Sequence, residues 1–239
     1  NDIVPSLPQL DRRLRRYAVD IGEGVQAQLA GNVGDTGAAG AIRIPESVWG
    51  DPAHDRLLVA EEDAAIGTAV RVFDMAGNYL GRDIGRGVFK AQAEGIALWQ
   101  CEDGSGYWIT TDQFKDRSLF HVWERRSLAH VGAFAGRVVG NTDGVWLHQE
   151  PTPRFPQGVF YAVHDDMGVG AFDWRDIAAA LKLPASLEHR EGRQLHSHRR
   201  QARTNPTCRC RPAAPATCRT RCRTGSSPHR RRIQPPASR

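Results

Sequence analysis

The chain has 239 residues and a formal net charge of +5, which is long enough for one large domain or two small ones. The charge is divided unevenly, because residues 189–239 hold fourteen arginines and one acid, Glu191, whereas the remaining 18 basic and 26 acidic residues give −8. An acidic body of this kind suits cation binding better than nucleic-acid binding. No segment is apolar for long enough to cross a bilayer, so we expect neither a nucleic-acid partner nor a membrane-spanning segment.

Residues 1–45 contain a strand-like segment, "RRYAVDIGEGVQAQL", followed by the glycine-rich "GNVGDTGAAGA". The first is interpreted as the end of a preceding structural unit, and the second as a flexible connector. The chain starts at Asn1 without an initiator methionine or a signal-like apolar run. We therefore expect it to be a piece of a longer product with further repeats before Asn1.

Three segments align with one another at a spacing of about fifty residues. They begin at Glu46 ("ESVWGDPAHDRLLVAEED"), at Glu94 ("EGIALWQCEDGSGYWITTDQ") and at Asp143 ("DGVWLHQEPTPRFPQGVFYAVHDD"). Each opens with an acid, a small residue and a short apolar run, passes through a polar turn, and ends in a second apolar run that closes on polar or acidic residues. Repeats of this period with several short strands are typical of β-propeller blades.

The predicted fold class is all-β, with blades of four antiparallel strands belonging to a partial propeller over residues 46–187. Apolar runs rich in Val, Phe, Trp and Leu alternate with turn residues. The predicted strands are 46–50, 56–61, 69–74 and 79–83, then 94–99, 106–111, 118–124 and 128–134. The third repeat lacks a fourth strand, and "DWRDIAAALKL" predicts a short helix capped by Asp173, with Ile177, Ala180 and Leu181 on one face.

Polar residues at the strand ends are the candidate site residues. In an antiparallel hairpin, the start of one strand and the end of the next lie at the same edge. The expected pairs are Glu46 with Glu62, Glu94 with Gln113, and Asp143 with Asp165. Because the first strand of each blade lines the central channel of a propeller, these six side chains are expected to converge on one mouth of that channel.

Carboxylates crowded in this way need protons or cations. Hard oxygen ligands without cysteine favour Ca²⁺ over zinc or copper. The alternative interpretation is that acids at strand ends are solvated turn residues. Recurrence of an acid in register at Glu46, Glu94 and Asp143 favours a site, whereas Glu61 and Asp63 are interpreted as ordinary turn residues.

At these residues the sequence resembles the β-propeller phytases, which are six-bladed calcium-dependent enzymes that hydrolyse inositol hexakisphosphate. The resemblance covers residues 46–187, the C-terminal half of that fold. The motifs that carry it are "VAEED", "AEGIALW", "GYWITTDQ", "NTDGVWL" and "RFPQGVFYAVHDD". The sixteen residues from Glu46 to Glu62 and the nineteen from Glu94 to Gln113 agree with the spacing in that family.

The resemblance implies a phosphoric monoester hydrolase of 3-phytase type with Ca²⁺ as cofactor. It implies catalytic roles for Glu62, Glu94 and Asp143. The implied or candidate calcium ligands are Glu46, Glu62, Glu94, Gln113, Asp143 and Asp165. It further implies phytate as the small-molecule partner, a monomeric full-length protein, and export to the periplasm or the medium.

The sequence departs from the family pattern at Gln92 and Arg137, where the family has aspartates. Loss of two carboxylates should weaken metal binding, which leaves open a non-catalytic calcium-binding propeller that serves as a ligand- or protein-binding module. A calcium-dependent propeller lactonase is a second alternative. The basic residues Arg82, Arg86 and Lys90 are further candidates for phosphate contacts.

Residues 188–239 differ in texture from the rest of the chain. They hold four of the five cysteines among Arg, Pro, Thr, Ser and His, with almost nothing apolar. Such a segment cannot bury enough surface to offset its chain entropy, so we expect a disordered tail, translated out of frame. A basic nucleic-acid arm and a Cys/His metal knuckle are the alternatives, although the cysteine spacing, C-x-C-x7-C-x3-C, fits no zinc-binding pattern.

Overall fold

A computed structural model describes residues 4–183 of the chain. Within this range the protein is all-β, with four antiparallel sheets and few helical residues. The predicted tail, 188–239, and the end of the predicted propeller region lie outside the described residues. No helix of the described part is both long enough and apolar enough to span a bilayer.

The N-terminal part consists of a 3-10 helix, Leu7–Arg12, and a two-stranded hairpin. The hairpin pairs β1 (Leu14–Asp20) with β2 (Gln26–Val33), and most of its residues are exposed. The segment predicted as a flexible connector, 31–41, begins inside β2. Its last residue, Ala41, is buried, as is the next residue, Ile42.

Three antiparallel sheets follow, each formed by strands that are consecutive in the chain. The first sheet contains β3 (Pro45–Asp51), β4 (Arg56–Glu61), β5 (Ala69–Phe73) and β6 (Tyr79–Ile84), with a 3-10 turn at Pro52–His54. The second contains β7 (Gln92–Gln100), β8 (Gly106–Gln113), β9 (Leu119–Glu124) and β10 (His130–Phe134). The third contains β11 (Val145–His148), β12 (Val159–His164) and β13 (Gly168–Asp173), and the helix α1 (Trp174–Leu181) follows it. The eight strands predicted for the first two repeats are confirmed.

Adjacent sheets pack face to face. Their first strands lie side by side, as the contacts of β7 with both β3 and β11 show. Between the first two sheets, Leu58 and Val72 share a core with Ile96 and Trp108. Between the second sheet and the third, Phe120 packs in an edge-to-face arrangement on Phe160, at 5.0 Å between ring centroids. This packing brings the starts of β3, β7 and β11 to one region of the molecule.

The third sheet has three strands, and helix α1 follows its third strand at the point in the chain where the first two sheets have a fourth strand. Its N-terminus is capped by Asp173, whose carboxylate accepts a hydrogen bond from the backbone N–H of Arg175 at 2.9 Å. Trp174 stacks on Trp99 at 3.8 Å between ring centroids. The buried residues of the helix are Trp174, Ile177 and Ala178. Ala180 is exposed, so the prediction that it shares one apolar face with Ile177 and Leu181 is wrong, because the helical step of 3.6 residues per turn takes it to the edge away from Trp174 and Ala178.

An acid at the end of the third strand of each sheet, or directly after it, accepts hydrogen bonds from the following turn or helix. These acids are Asp74, which directly follows β5, and Glu124 and Asp173, which are the last residues of β9 and β13. Their carboxylates accept hydrogen bonds from the backbone N–H groups of Asn78, Ser127 and Arg175, respectively. The repeat thus extends to the hydrogen bonds that end each third strand.

Candidate metal centre

Three carboxylates from two sheets come together at the starts of β3 and β7. Glu46 belongs to β3, Glu94 belongs to β7, and Glu62 directly follows β4. One oxygen atom from each lies within 4.8 Å of one oxygen from each of the other two. We call these three residues the acidic cluster.

Both strand glutamates of the acidic cluster sit at a β-bulge. The pairing register shifts between Pro45 and Val48 in β3, and between Ala93 and Ile96 in β7. Each bulge adds one residue to the first strand relative to its partner, which bends the strand and redirects the side chain at that position. The acid followed by a small residue, seen in "ES" and "EG", is the sequence signal that accompanies these bulges.

Gly95 allows β7 to approach the third sheet closely. A Cβ atom at this position would lie 2.7 Å from Cγ2 of Val145 and 3.0 Å from the carbonyl oxygen of Asp143. Neither distance is compatible with a real side-chain contact without movement. The absence of a side chain at Gly95 therefore brings Asp143 next to the strand that carries Glu94.

Glu94 is the electrostatic centre of the acidic cluster. It is only 4% exposed, and burial, reinforced by a hydrogen bond to Glu62 and by the nearby charges of Glu46 and Asp143, raises the pKa of Glu94 to about 9. At neutral pH the buried carboxyl therefore keeps its proton. A cation bound at the cluster would replace that proton as the source of positive charge.

Two glutamine amides bind the outer carboxylates of this region. Nε2 of Gln92 donates to Oε2 of Glu62 at 2.9 Å. Nε2 of Gln113 donates to Oδ1 of Asp143. In the register of β7 with β8, Gln113 lies opposite Gln92. Its side chain bonds Asp143, which precedes the first strand of the third sheet. The sequence predicted instead that Gln113 would pair with Glu94.

Asp165 is not one of the three residues of the acidic cluster. The side-chain amide of Asn141 donates to Oδ1 of Asp165 at 2.9 Å, and the backbone N–H of Asp165 donates to the carbonyl of Gly140 at 3.2 Å. Asp165 adopts a positive φ of 46°. It thus pairs with the turn before β11, two residues short of the expected partner Asp143.

Sequence reasoning missed a set of buried carboxylates that hold the first strands in place. Glu61 is fully buried at the end of β4, and its carboxylate accepts the backbone N–H groups of Ile44 and Asp63, each at 3.0 Å. The interpretation of Glu61 as an ordinary turn residue is therefore wrong. Its signal was present in the repeat alignment, because an acid precedes both Glu62 and Gln113.

Asp112 performs the same task in the second sheet. It is fully buried and accepts the backbone N–H groups of Lys90 and Ala91 at 2.9 and 2.8 Å. In the third sheet, Nδ1 of His164 occupies the corresponding place and accepts the N–H of Gly140 at 3.2 Å. These polar side chains fix the approach to each first strand, and hence the positions of the acids on them.

The chemistry of the donor set fits a hard cation. The acidic cluster offers only carboxylate oxygens, with amide oxygens of Gln92 and Gln113 beside it, and calcium prefers such ligands. A buried carboxyl that has to stay protonated when no cation is bound is a further sign that the site lacks positive charge. A scan of the sequence against protein-family models and a search of curated proteins gave no match.

Proposed function

We propose that the protein is a phytase-like, calcium-dependent phosphomonoester hydrolase of 3-phytase type that acts on inositol hexakisphosphate. The observation that carries the proposal is the convergence of Glu46, Glu62 and Glu94 from two adjacent sheets. The motif resemblance described above supplies the reaction class. The convergence supports it because these are three of the residues that the resemblance assigns to the metal centre.

The residues that would hold calcium are the acidic cluster, with Asp143 and Gln113 beside it. When bound, calcium neutralises substrate phosphates and lowers the pKa of a coordinated water. Glu94 would release its proton as a cation binds, because the proton and the cation compensate the same negative charge. Asp165 lies outside this group, and we do not include it among the ligands.

The remaining side chains position these ligands. Gln92 donates a hydrogen bond to one oxygen of Glu62, so the other oxygen of Glu62 is the candidate to bind a cation. Gln113, almost fully buried, holds one oxygen of Asp143, so that the free oxygen of Asp143 is the candidate to orient an attacking water. The buried carboxylates Glu61 and Asp112 accept hydrogen bonds from the backbone directly before β3 and β7, which preorganises Glu46 and Glu94.

The arrangement of sheets supports the propeller part of the proposal. In a propeller the first strands of successive blades surround a channel, and β7 lies between β3 and β11 in the manner that such a ring requires. We propose that further blades complete this ring in the full-length gene product. We also propose export to the periplasm or the medium and a monomeric state, as in the family that the sequence resembles.

Release of inorganic phosphate from phytate tests this function. The full-length gene product should release phosphate in the presence of calcium and not in the presence of a chelator. Glu62→Gln and Glu94→Gln should abolish that release, whereas Glu23→Gln, in the exposed turn between β1 and β2, should not. Absence of calcium-dependent release from the unmodified protein would contradict the proposal.

A second candidate function, a non-catalytic calcium-binding module, is favoured by one observation. Gln92 presents an amide to Glu62 at a position where the resembled family has an acid, which removes a negative charge from the metal centre. Calcium-dependent thermal stabilisation of the full-length product without phosphate release would favour this candidate.

A further inference from the structure

Two histidines lie between the buried carboxylate of Asp112 and the outer strand of the second sheet. Nε2 of His121, in β9, lies 3.4 Å from Oδ2 of Asp112, and Nδ1 of the same ring lies 3.1 Å from Nε2 of His130, the first residue of β10. His121 is 6% exposed, whereas His130 is open to solvent. We call these two residues the histidine pair. It connects the solvent to the carboxylate that binds the backbone before β7.

Aromatic rings pack on both members of the histidine pair. Phe89 meets His121 edge-on, at 5.4 Å between ring centroids, and Trp123 lies 4.6 Å from His130. The carboxylate of Asp112 is the charged group that the hydrogen bonds of residues 4–183 place against the pair.

The neighbouring cations lie on the segment before β7 and on α1. The ammonium group of Lys90 donates to the carbonyl of Gly87. Helix α1 packs against β10, where Leu181 lies against Gly132, and the exposed Lys182 follows at that end of the helix. The pair is therefore a small polar group in an aromatic setting, with one anion in direct contact.

The hydrogen bonds determine where the histidine pair carries its protons. Asp112 accepts backbone N–H groups through both of its oxygens, as an ionised carboxylate does, so Nε2 of His121 carries a hydrogen and donates to it. Nδ1 of a neutral His121 then accepts from Nε2 of His130. One added proton is tolerated, because an imidazolium can still donate. A second proton puts an N–H on both facing nitrogens, which breaks this bond and places two cations in contact.

We propose that the histidine pair is a pH-sensitive positioning device, which holds Asp112 and the segment before β7 in place until both imidazoles are protonated. Asp112 accepts the N–H groups of Lys90 and Ala91 at 2.9 and 2.8 Å. Glu94 follows Ala91 by three residues, so loss of the pair loosens the strand start that carries Glu94. The consequence for calcium binding rests on the proposed function, whereas the hold on the backbone of Lys90 and Ala91 does not.

The hold is lost on acidification. Partial burial, and after it the charge of His121, lower the pKa of His130 below its ordinary value of 6.5. The unfolded chain therefore takes up this proton at a higher pH than the folded chain. The stabilisation that the pair contributes is complete above about pH 6.5 and is lost as the pH falls through the lowered pKa. Its sign is opposite to that of Glu94, whose proton stabilises the folded chain.

Hydrogen exchange of the backbone amides of Lys90 and Ala91 tests the proposal in the full chain, in buffer that contains a chelator. After correction for the intrinsic exchange rate, their protection should fall by about tenfold or more between about pH 7.5 and about pH 5. The amide of Ile44 is the internal control, because it also donates to a buried carboxylate, that of Glu61, but in the first sheet. Its protection should change much less. An equal loss at Ile44 would assign the effect to global unfolding and overturn the proposal.

His130→Gln keeps a side-chain N–H donor at an exposed position but cannot be protonated. The amides of Lys90 and Ala91 should therefore stay protected at about pH 5 in this variant. His148→Gln, at the end of β11 in the third sheet, is the matched control and should lose this protection as the unmodified chain does. The proposal is wrong if the unmodified chain keeps full protection at the lower pH, or if His130→Gln loses as much protection as the unmodified chain.

Calcium titrations at the same two pH values test the consequence for the acidic cluster. The affinity for calcium should fall on acidification by about tenfold more in the unmodified chain than in His130→Gln. An equal pH dependence in the two chains would overturn the link between the histidine pair and calcium binding. Absence of calcium binding at both pH values would overturn the hydrolase proposal instead, and the amide protection of Lys90 and Ala91 would still decide whether the pair holds the backbone before β7.

Discussion

The carboxyl group of Glu94, in the first strand of the second sheet, shares a hydrogen bond with the carboxylate of Glu62, which follows the second strand of the first sheet. Two acids so close cannot both ionise without strong repulsion. Either a proton or a cation must therefore lie between the two sheets at this edge.

Without divalent cations, the free energy of unfolding should fall as the pH rises from about 4.5 to about 9. The folded protein keeps the proton of Glu94 up to a pKa of about 9, whereas the unfolded chain loses it near 4.5. The stabilisation that the protonated Glu94 contributes is therefore complete below pH 4.5 and is lost as the pH rises through about 9. Between these two values the free energy of unfolding should fall by at most about 1.4 kcal/mol per pH unit. Thermal denaturation of Glu94→Gln in chelator should show a flatter pH dependence. Glu23→Gln should keep the original slope, and an unchanged slope in Glu94→Gln would contradict the assignment.

Gly95→Ala should destabilise the fold by about 1–3 kcal/mol, because the added methyl group would overlap with Val145 and the backbone of Asp143. Separation of β7 from β11 should also weaken calcium binding. Urea denaturation and calcium titration measure the two effects. Gly168→Ala is the matched control, since its Cβ would meet nothing within 4 Å, and it should leave both quantities unchanged. Similar behaviour of the two variants would show that the close approach at Gly95 is unimportant.

Glu61→Gln should lower stability and Glu62→Gln should weaken calcium binding, although the two residues are neighbours in the chain. Glu61 is buried and accepts backbone N–H groups, so its replacement should lower the free energy of unfolding by about 1–3 kcal/mol. Glu62 is partly exposed, so its replacement should leave stability almost intact while weakening calcium binding by about tenfold. Chemical denaturation in chelator and calcium titration separate the effects. Equal loss of stability in both variants would contradict the distinction.

Asp51→Ala should lower the free energy of unfolding by about 3–5 kcal/mol, because it leaves a buried arginine without its partner. Asp51 ends β3 and binds both Nε and Nη2 of Arg125, at 3.0 and 2.6 Å. Burial opposes ionisation, but the bonds to Arg125 and the nearby His54 outweigh it and lower the pKa of Asp51. Its contribution is thus present at neutral pH and lost as the pH falls through that lowered pKa.

The exposed pair of Asp11 and Arg12 provides the control for this prediction. Asp11→Ala should leave the free energy of unfolding almost unchanged, since solvent screens an exposed ion pair. Urea denaturation at neutral pH compares the two variants. A cost for Asp51→Ala as small as that for Asp11→Ala would show that burial of the Asp51–Arg125 pair has no energetic consequence.

The sequence by itself determined the strands and their grouping. Local alternation of apolar runs with turn residues marks strand bounds, and a repeat aligned in register requires the same order of strands in each unit. For the same reason the sequence identified Glu46 and Glu94 as equivalent residues at the starts of first strands, and Glu62 as the residue at the end of the second strand that lies at the same edge. The helix α1 was also predictable, because its cap, Asp173, and its apolar spacing are local signals.

Only the tertiary structure decided which of these polar groups meet. The bulges at Glu46 and Glu94 depend on pairing across strands, and a shift of one residue redirects a side chain. Gln113 therefore reaches Asp143 in the next sheet, and Asp165 pairs with Asn141 instead of joining the cluster. The high pKa of Glu94 arises from burial between two sheets, and such burial is a property of packing that residue order along one strand does not contain.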